Sequence, residues 1–386
     1  MILFKNADVY APKHLGYKDV LVEGRKIVAI EEAINGYDNL TNVQVIDVNG
    51  KKMGPGYIDL HEHITGGGGE QGPVSRTPEA TIGTLLDCGV TTVIGLLGTD
   101  GISRSLENLL AKARALNEEG LTCYILTGSY GYPSVNITGN IERDITLIDL
   151  IIGVKLAVSD HRSSNPQGEE IIKVATAARR AGLLAPCCGL VTMHMGSGKG
   201  RLEPIFYALE HSDILAKNLL PTHMNTRGKE LLDDGIRLAK MGGHIDFTAS
   251  GTVQGNKEEA AKVRYCLEQG VPLSSITVSS DGYGSQPRFN TKGECIGLTY
   301  STPCGLHQLV KALVEEKVLK FEESLTLVTS NAAQVLDMSN AKGNIIIGAD
   351  ADLLIYNEDF VIESVFAKGK IAVWENKHII KGRFEI

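Results

Sequence analysis

The sequence predicts a (β/α)8 TIM barrel with a small β-sandwich domain formed from both chain termini. Three observations lead there. From Gly54 onward, eight short, near-continuously apolar runs follow one another. Amphipathic stretches lie between them, and five of these close on a glycine. Both ends of the chain are strand-rich, with turn signals. Strands buried on both faces are apolar throughout, as in a parallel barrel sheet jacketed by helices. A doubly wound open sheet is the alternative for the same alternation.

Residues 1–53, "ADVYAPKHLGYKDVLVEGRKIVAIEEA … VQVIDVNGKKM", carry strands joined by turns such as "VEGRK". The barrel is expected over residues 54–342. Its strands are "YIDLH", "VTTVIGLLGT", "TCYILTGSY", "LIIGVKLAVS", "GLVTMHM", "NLLPTHM", "GHIDFTAS" and "SSITVSSDG". Its helices include "TPEATIGTLLDCG", "SLENLLAKARALNEEG", "GEEIIKVATAARRAG", "KELLDDGIRLAKMGG" and "KEEAAKVRYCLEQG". They end at Gly89, Gly120, Gly182, Gly242 and Gly270, where glycine suits a left-handed C-cap. The first is expected to open with Thr77 as N-cap and Pro78 at the first helical position. Residues 302–317 and 322–336 supply further helices. Residues 343–386 return to strands, with turns at "AKGK" and "WENK". Chain ends commonly lie close, so the two strand-rich ends should meet as one β domain.

Composition narrows the function classes. Of 386 residues, 43% are hydrophobic and 22% charged, an ordinary soluble-globular balance. A formal charge of -8 argues against a nucleic-acid or anionic-membrane partner, since phosphate binding needs a basic face. No apolar run approaches the roughly 18 residues of a membrane helix, and "MILFKNADVY" has no signal-peptide pattern. The seven cysteines contain no C-x-x-C pair, which predicts reduced thiols and a cytoplasmic protein.

The polar residues at the strand ends suggest chemistry. His61 and His63 close the first strand, two apart and so on one face. The fourth strand carries Lys155, the fifth His194, the sixth His223 and the eighth ends at Asp281. In a barrel all would face the mouth, where active sites of this fold lie. Four imidazoles and a carboxylate suit Zn²⁺ better than Mg²⁺ or Ca²⁺. One H-x-H alone is weak, and a single strand histidine is more often a hydrogen-bonded core residue. Lys155 stands apart, because a lysine in "IIGVKLAV" is buried and needs a partner. "GSGKG" at 196–200 lacks the spacing of a phosphate loop and reads as a βα loop.

"PGYIDLHEH", the strand-four lysine, the two later histidines and "SSDG" together resemble the amidohydrolase superfamily. Within it, "HITGGGGEQGP", "GLLGTD", "LTGSY", "GVKLAVSDHRS", "PTHMN" and "SSDGYGSQP" resemble the isoaspartyl (β-aspartyl) dipeptidase family. The resemblance runs from near Met1 to near Ile386. It implies a binuclear zinc hydrolase that cuts isoaspartyl dipeptides. Lys155 would be carbamylated and bridge two Zn²⁺ ions that also share a hydroxide. His61, His63 and Asp281 would hold one ion, His194 and His223 the other. Asp281 would act as general base and then acid, and Tyr130 would polarise the carbonyl.

The same resemblance assigns substrate contacts. Glu70 would pair with the free ammonium, and Arg162 would clamp a carboxylate. Gly66 to Gly69 would let backbone approach the substrate at positive φ. Gly68, Thr99 and Ser285 match further contact positions. One departure is visible: the family pattern H-x-N-R is "HMNTR" here, so Thr226 stands in the arginine's place and Arg227 follows. Arg227 either restores the clamp through a shifted loop or leaves it lost. The resemblance also implies a homo-oligomer, octameric if like the family. The competing functions are another amidohydrolase, such as a cyclic-amide hydrolase or an N-acyl-amino-acid deacylase, and a non-catalytic barrel scaffold.

Overall fold

A computed structural model describes residues 1–37, 40–289 and 295–385. The chain opens with the antiparallel strands β1 (Ile2–Tyr10), β2 (His14–Glu23) and β3 (Lys26–Glu31). Strands β4 (Gln44–Asp47) and β5 (Lys52–Pro55) then run parallel to β1. The eight expected barrel strands follow as β6 (Tyr57–Glu62), β7 (Val90–Gly95), β8 (Thr122–Gly128) and β9 (Ile151–Val158), then β10 (Leu190–Met195), β11 (Leu219–Thr222), β12 (Ile245–Thr248) and β13 (Ile276–Ser279). All their residues are buried except half-buried Tyr124, which explains the unbroken apolar runs. An antiparallel hairpin, β14 (Ser285–Phe289) and β15 (Cys295–Tyr300), stands on the loop after strand eight.

The last strands are β16 (Leu353–Tyr356), β17 (Ile362–Ala367), β18 (Lys370–Trp374) and β19 (Lys377–His378). β5 pairs with β1 on one side and β16 on the other, so both ends of the chain share one nine-stranded sheet. Phe4, Val20, Met53, Leu353 and Phe366 form its core.

In the barrel, β6 to β11 form a continuous parallel ladder and β12 pairs with β13. Among the described residues no ladder joins β11 to β12 or β13 to β6. Backbone contact there is sparse: Met224 N donates to Asp246 O at 3.2 Å, and an isolated bridge pairs Glu62 with Gly282, His63 N donating to Gly282 O at 2.9 Å.

Ten helices are described: α1 (Ile82–Asp87), α2 (Leu106–Glu119), α3 (Ile141–Leu147), α4 (Gly168–Leu184), α5 (Glu203–Glu210), α6 (Lys229–Lys240), α7 (Val253–Glu268), α8 (Gly305–Glu315), α9 (Phe321–Thr326) and α10 (Ser330–Val335). Three expectations about them are corrected. The first helix starts four residues late, capped by Thr81, because Thr77 is engaged elsewhere. Its hydroxyl accepts from Gly67 N at 2.7 Å and donates to Tyr283 O at 2.6 Å. Gly182 is not a C-cap but lies inside α4, where a Cβ would meet Cys187 O at 2.8 Å and Gly189 Cα at 3.0 Å. Gly89, Gly120, Gly242 and Gly270 do take positive φ. The expected helix 322–336 is broken into α9 and α10. At the break, the carbonyls of Leu327 and Val328 accept from Val278 N and Ile58 N, filling the base of the β13–β6 gap.

The expectation of seven reduced thiols fails at Cys88 and Cys304, which are disulfide-bonded. Folding brings the end of α1 against the start of α8, a proximity no local pattern reveals. Cys123, Cys187, Cys188 and Cys266 are free, and the Cys295 side chain lies outside the described residues. No described helix is long and apolar enough to cross a membrane.

Candidate metal centre and active site

His61, His63, Lys155, His194, His223 and Asp281 converge at the barrel mouth, each buried. His63 Nε2 lies 3.2 Å from Asp281 Oδ1, and His61 Nε2 lies 3.5 Å from the same oxygen. These three residues bring ligand atoms within 4.8 Å of one another, the arrangement a cation needs. The His61 and His223 rings are 5.1 Å apart and those of His194 and His223 4.6 Å. Lys155 Nζ reaches His61 Nε2 at 3.1 Å, from the middle of β9 rather than its end.

Backbone geometry aims two of these groups. His223 and Asp281 follow their strands at φ 65° and 51°, a left-handed conformation that costs a non-glycine residue energy. Such strain persists only where the surroundings over-determine it.

The electrostatics favour a ligand set. Burial, then the neighbouring Lys155 charge, pushes His61 well below the ordinary imidazole range. Burial does the same to His223, and brings His194 down to about 3 despite a hydrogen bond from its ring to Asp160. Neutral imidazoles are the form that binds metal. Burial pushes Asp281 up, but the His63 hydrogen bond and the adjacent imidazoles outweigh it and hold the carboxylate ionised. Among the described residues, buried Nδ1 of His63 and Nε2 of His223 have no hydrogen-bond partner. Orphaned lone pairs of this kind fit a metal and are costly without one. Burial also brings Lys155 down to about 7.

The expected substrate contacts ring this cluster. Glu70 Oε1 accepts from Thr99 Oγ1 at 2.9 Å and from Arg162 Nη1 at 3.2 Å. Asp160 grips Arg162 through three bonds, from Nε to Oδ1 at 2.9 Å, from Nη2 to Oδ2 at 3.1 Å and from the backbone N–H to Oδ1 at 2.8 Å. Its guanidinium lies 5.1 Å from the Tyr130 ring centre. The Tyr130 hydroxyl sits 2.7 Å from His194 Nδ1, and burial raises its pKa far enough to keep the proton on. Gly68, at φ 73°, packs its backbone where a Cβ would meet Ser75 O at 2.3 Å, beside Ser285. Arg227 lies on the other side of the mouth, donating to Met195 O at 3.4 Å. It lines, with Thr226, His223, Asp281 and Gln286, a cavity of about 730 Å³.

Sequence reasoning missed several partners. Asp160 holds both Arg162 and His194, and its place two residues before Arg162 in "SDHRS" was the available signal. Thr248 Oγ1 meets His223 Nδ1 at 2.6 Å, and Gln286 Nε2 donates to Asp281 Oδ2 at 3.1 Å. Neither carried a local signal.

A profile of the amidohydrolase family matches residues 53–372. The chain belongs to the amidohydrolase family. Its expected hydrolase class follows from that membership. Among solved amidohydrolases, a β-aspartyl dipeptidase from Fervidobacterium islandicum AW-1, in complex with β-Asp-Leu, is similar over 100% of both chains. The identity is 41% and the TM-score 0.91. A dihydroorotase from Lactobacillus johnsonii is 24% identical over 92% of this chain and 88% of its own. A D-hydantoinase structure shares the amidohydrolase fold over 99% of this chain and 97% of its own, at 19% identity and a TM-score of 0.67. The resemblance read from the strand-end residues is met at the family level and in the kinship with β-aspartyl dipeptidases.

Proposed function

We propose that this amidohydrolase is a metal-dependent dipeptidase that cleaves the isoaspartyl bond of dipeptides. One observation carries the reading: the Glu70–Arg162 ion pair stands at the rim of the candidate metal centre, 3.2 Å apart. An isoaspartyl dipeptide brings a free α-ammonium and an α-carboxylate beside the amide to be cut. Each substrate charge can replace one member of that pair, so binding exchanges one ion pair for two. The 41%-identical dipeptidase complex supports the same reading.

His61, His63 and Asp281 would hold one Zn²⁺, and His194 and His223 a second, with Lys155 between them as a carbamate. When bound, the ions supply electrophilic activation of a water and of the scissile carbonyl. The carbamate forms when the neutral Lys155 amine adds to CO₂ and releases a proton. An amine brought down to about 7 supplies that neutral form near neutral pH. Asp281 accepts the proton from the attacking water and delivers it to the leaving amine. Tyr130 donates a hydrogen bond to the carbonyl oxygen as charge develops. Glu70 and Thr99 receive the ammonium, Arg162 the carboxylate beside it, and Arg227 the carboxylate of the leaving residue, with Gly68 and Ser285 shaping the wall.

The proposal includes residues 54–342 as the catalytic barrel, residues 1–53 with 343–386 as the composite β domain, a cytoplasmic location and a homo-oligomeric state. A substrate panel of β-Asp-Leu, α-Asp-Leu, hydantoin and N-acetyl amino acids tests it. Rapid hydrolysis of β-Asp-Leu with little of the others is expected. Equal cleavage of α-Asp-Leu, or faster cleavage of hydantoin or an N-acetyl amino acid, would reassign the substrate.

A further inference from the structure

Two strand junctions lack a backbone ladder, and both border the candidate metal centre. β11 leads into His223, β13 leads towards Asp281, and β6 carries His61. At each junction a fully buried aspartate adds side-chain links to the sparse backbone contact. On β12, Asp246 Oδ2 accepts from Thr222 Oγ1 of β11 at 2.7 Å and from Ser279 Oγ of β13 at 2.5 Å. Its other oxygen accepts from Thr277 Oγ1 at 2.7 Å. On β6, Asp59 Oδ1 accepts from the backbone N–H of His61 and of Ser280, both at 3.1 Å. Its second oxygen takes the Ser280 hydroxyl, which also lies 2.9 Å from Glu62 Oε2.

Three of the five gripped residues are the informative part: His61 itself, Ser280 next to Asp281, and Thr222 next to His223. Thr277 and Ser279 lie on β13, which is already laddered to β12. From β6 to β11 the strands are spaced by their own ladder and need no such link. A buried carboxylate without donors is costly, and each of these two holds three. The geometry points to Asp59 and Asp246 as positioning residues that reinforce these junctions and fix the spacing of His61, His223 and Asp281. They act through backbone and hydroxyl donors, not through the ligand side chains. The inference rests on the hydrolase reading above, since those are the groups whose spacing matters.

The test compares Asp59→Ala and Asp246→Ala with Asp59→Asn and Asp246→Asn, which keep an acceptor oxygen. Asp350→Ala, at a buried carboxylate far from the mouth, is the control. kcat and KM are measured on β-Asp-Leu, and zinc release to a chromophoric chelator is followed without substrate. Residues that orient metal ligands typically affect affinity or activity by about 10–100-fold. The alanine variants should therefore lose kcat by that factor with KM within about threefold, and shed zinc about tenfold faster. The asparagine variants should recover most of both. Asp350→Ala should lower the melting temperature and leave both readouts unchanged.

Alanine variants with wild-type kcat and zinc release would overturn the inference. If they do not fold, Ser280→Ala and Thr222→Val each remove one donor and should still speed zinc release about threefold. Unchanged release in both would overturn it equally. A wild-type protein that retains no zinc overturns the hydrolase reading, and this inference with it.

Discussion

Among the described residues two lysines are buried in this barrel, one at the mouth and one at the base, and their surroundings are opposite. At the base, Lys342 Nζ lies 2.9 Å from Asp350, 2.5 Å from Asp352 and 2.8 Å from Thr122 Oγ1. Asp350 in turn takes two bonds from Arg25 and pairs with Lys26 at 2.9 Å. Every charge there is answered. At the mouth, Lys155 hydrogen-bonds to the ring nitrogens of His61, which burial keeps neutral, and lies 6.0 Å from the centre of the Tyr130 ring. Among the described residues no carboxylate pairs with it directly, and burial outweighs the attraction of Asp281 and Asp246. A buried ion without a direct partner costs several kcal/mol. Structure alone explains Lys342. For Lys155 the proposed carbamate would supply the missing partners.

The largest expected effect is on turnover at the mouth. Lys155→Ala should lower kcat by more than about 10³-fold, exceeding the loss of a single oxyanion donor. Its melting temperature without metal should hold or rise, because an unpaired buried amine is gone. Partial rescue by a small carboxylic acid would place the missing function in two oxygens. Near-normal turnover without one would contradict the carbamate.

Tyr130→Phe should lower kcat by roughly 10²–10³ with stability nearly unchanged. A rise in KM alone would make Tyr130 a binding residue. The reverse pattern is expected at the base. Lys342→Met leaves Asp350 and Asp352 short of a partner and should cost about 3–5 kcal/mol of stability, read as a shift in the denaturant midpoint. Protein that remains folded should keep its kcat.

The smallest effect separates the two ends by pH. Burial pushes the Asp350 carboxyl up, but the Arg25 and Lys342 bonds outweigh it and hold it well below the usual range. The unfolded chain then binds the extra proton first. Asp350's contribution is complete above about pH 4 and fades as pH falls below it. Lys155 is also shifted down, to about 7 from an unfolded value near 10.4, but for an amine that disfavours the charged form. Its contribution to the metal-free protein weakens as pH falls from about 10 to 7. Urea midpoints should therefore drop in two separate windows, with Asp350→Asn flattening only the acid one. A single window would undo the contrast.

Much of this was legible before any coordinates. The eight strands announce themselves because burial on both faces demands apolar side chains throughout, and His61, Lys155 and Asp281 stand out as charges interrupting such runs. Asp59 and Asp246 were not legible as joining groups. Each lies in an ordinary strand sequence, "YIDLH" or "GHIDFT", and its meaning comes from hydroxyls on neighbouring staves. Thr77 and Thr81 have equal local claims to cap a helix, and only Tyr283 across the loop decides between them. Cys88 and Cys304 meet through the closure of the whole ring. In sequence Glu70 and Arg162 stand as two separate clamps, and their pairing with each other depends on how two βα loops lean together.

The shared sheet of the two chain ends has a consequence for synthesis. β5 lies between β1 and β16, so its outer edge stays bare until the far end of the chain has been made. A ribosome would thus display an unpaired strand edge throughout translation of the barrel, an invitation to foreign β-strands that chaperones would have to cover.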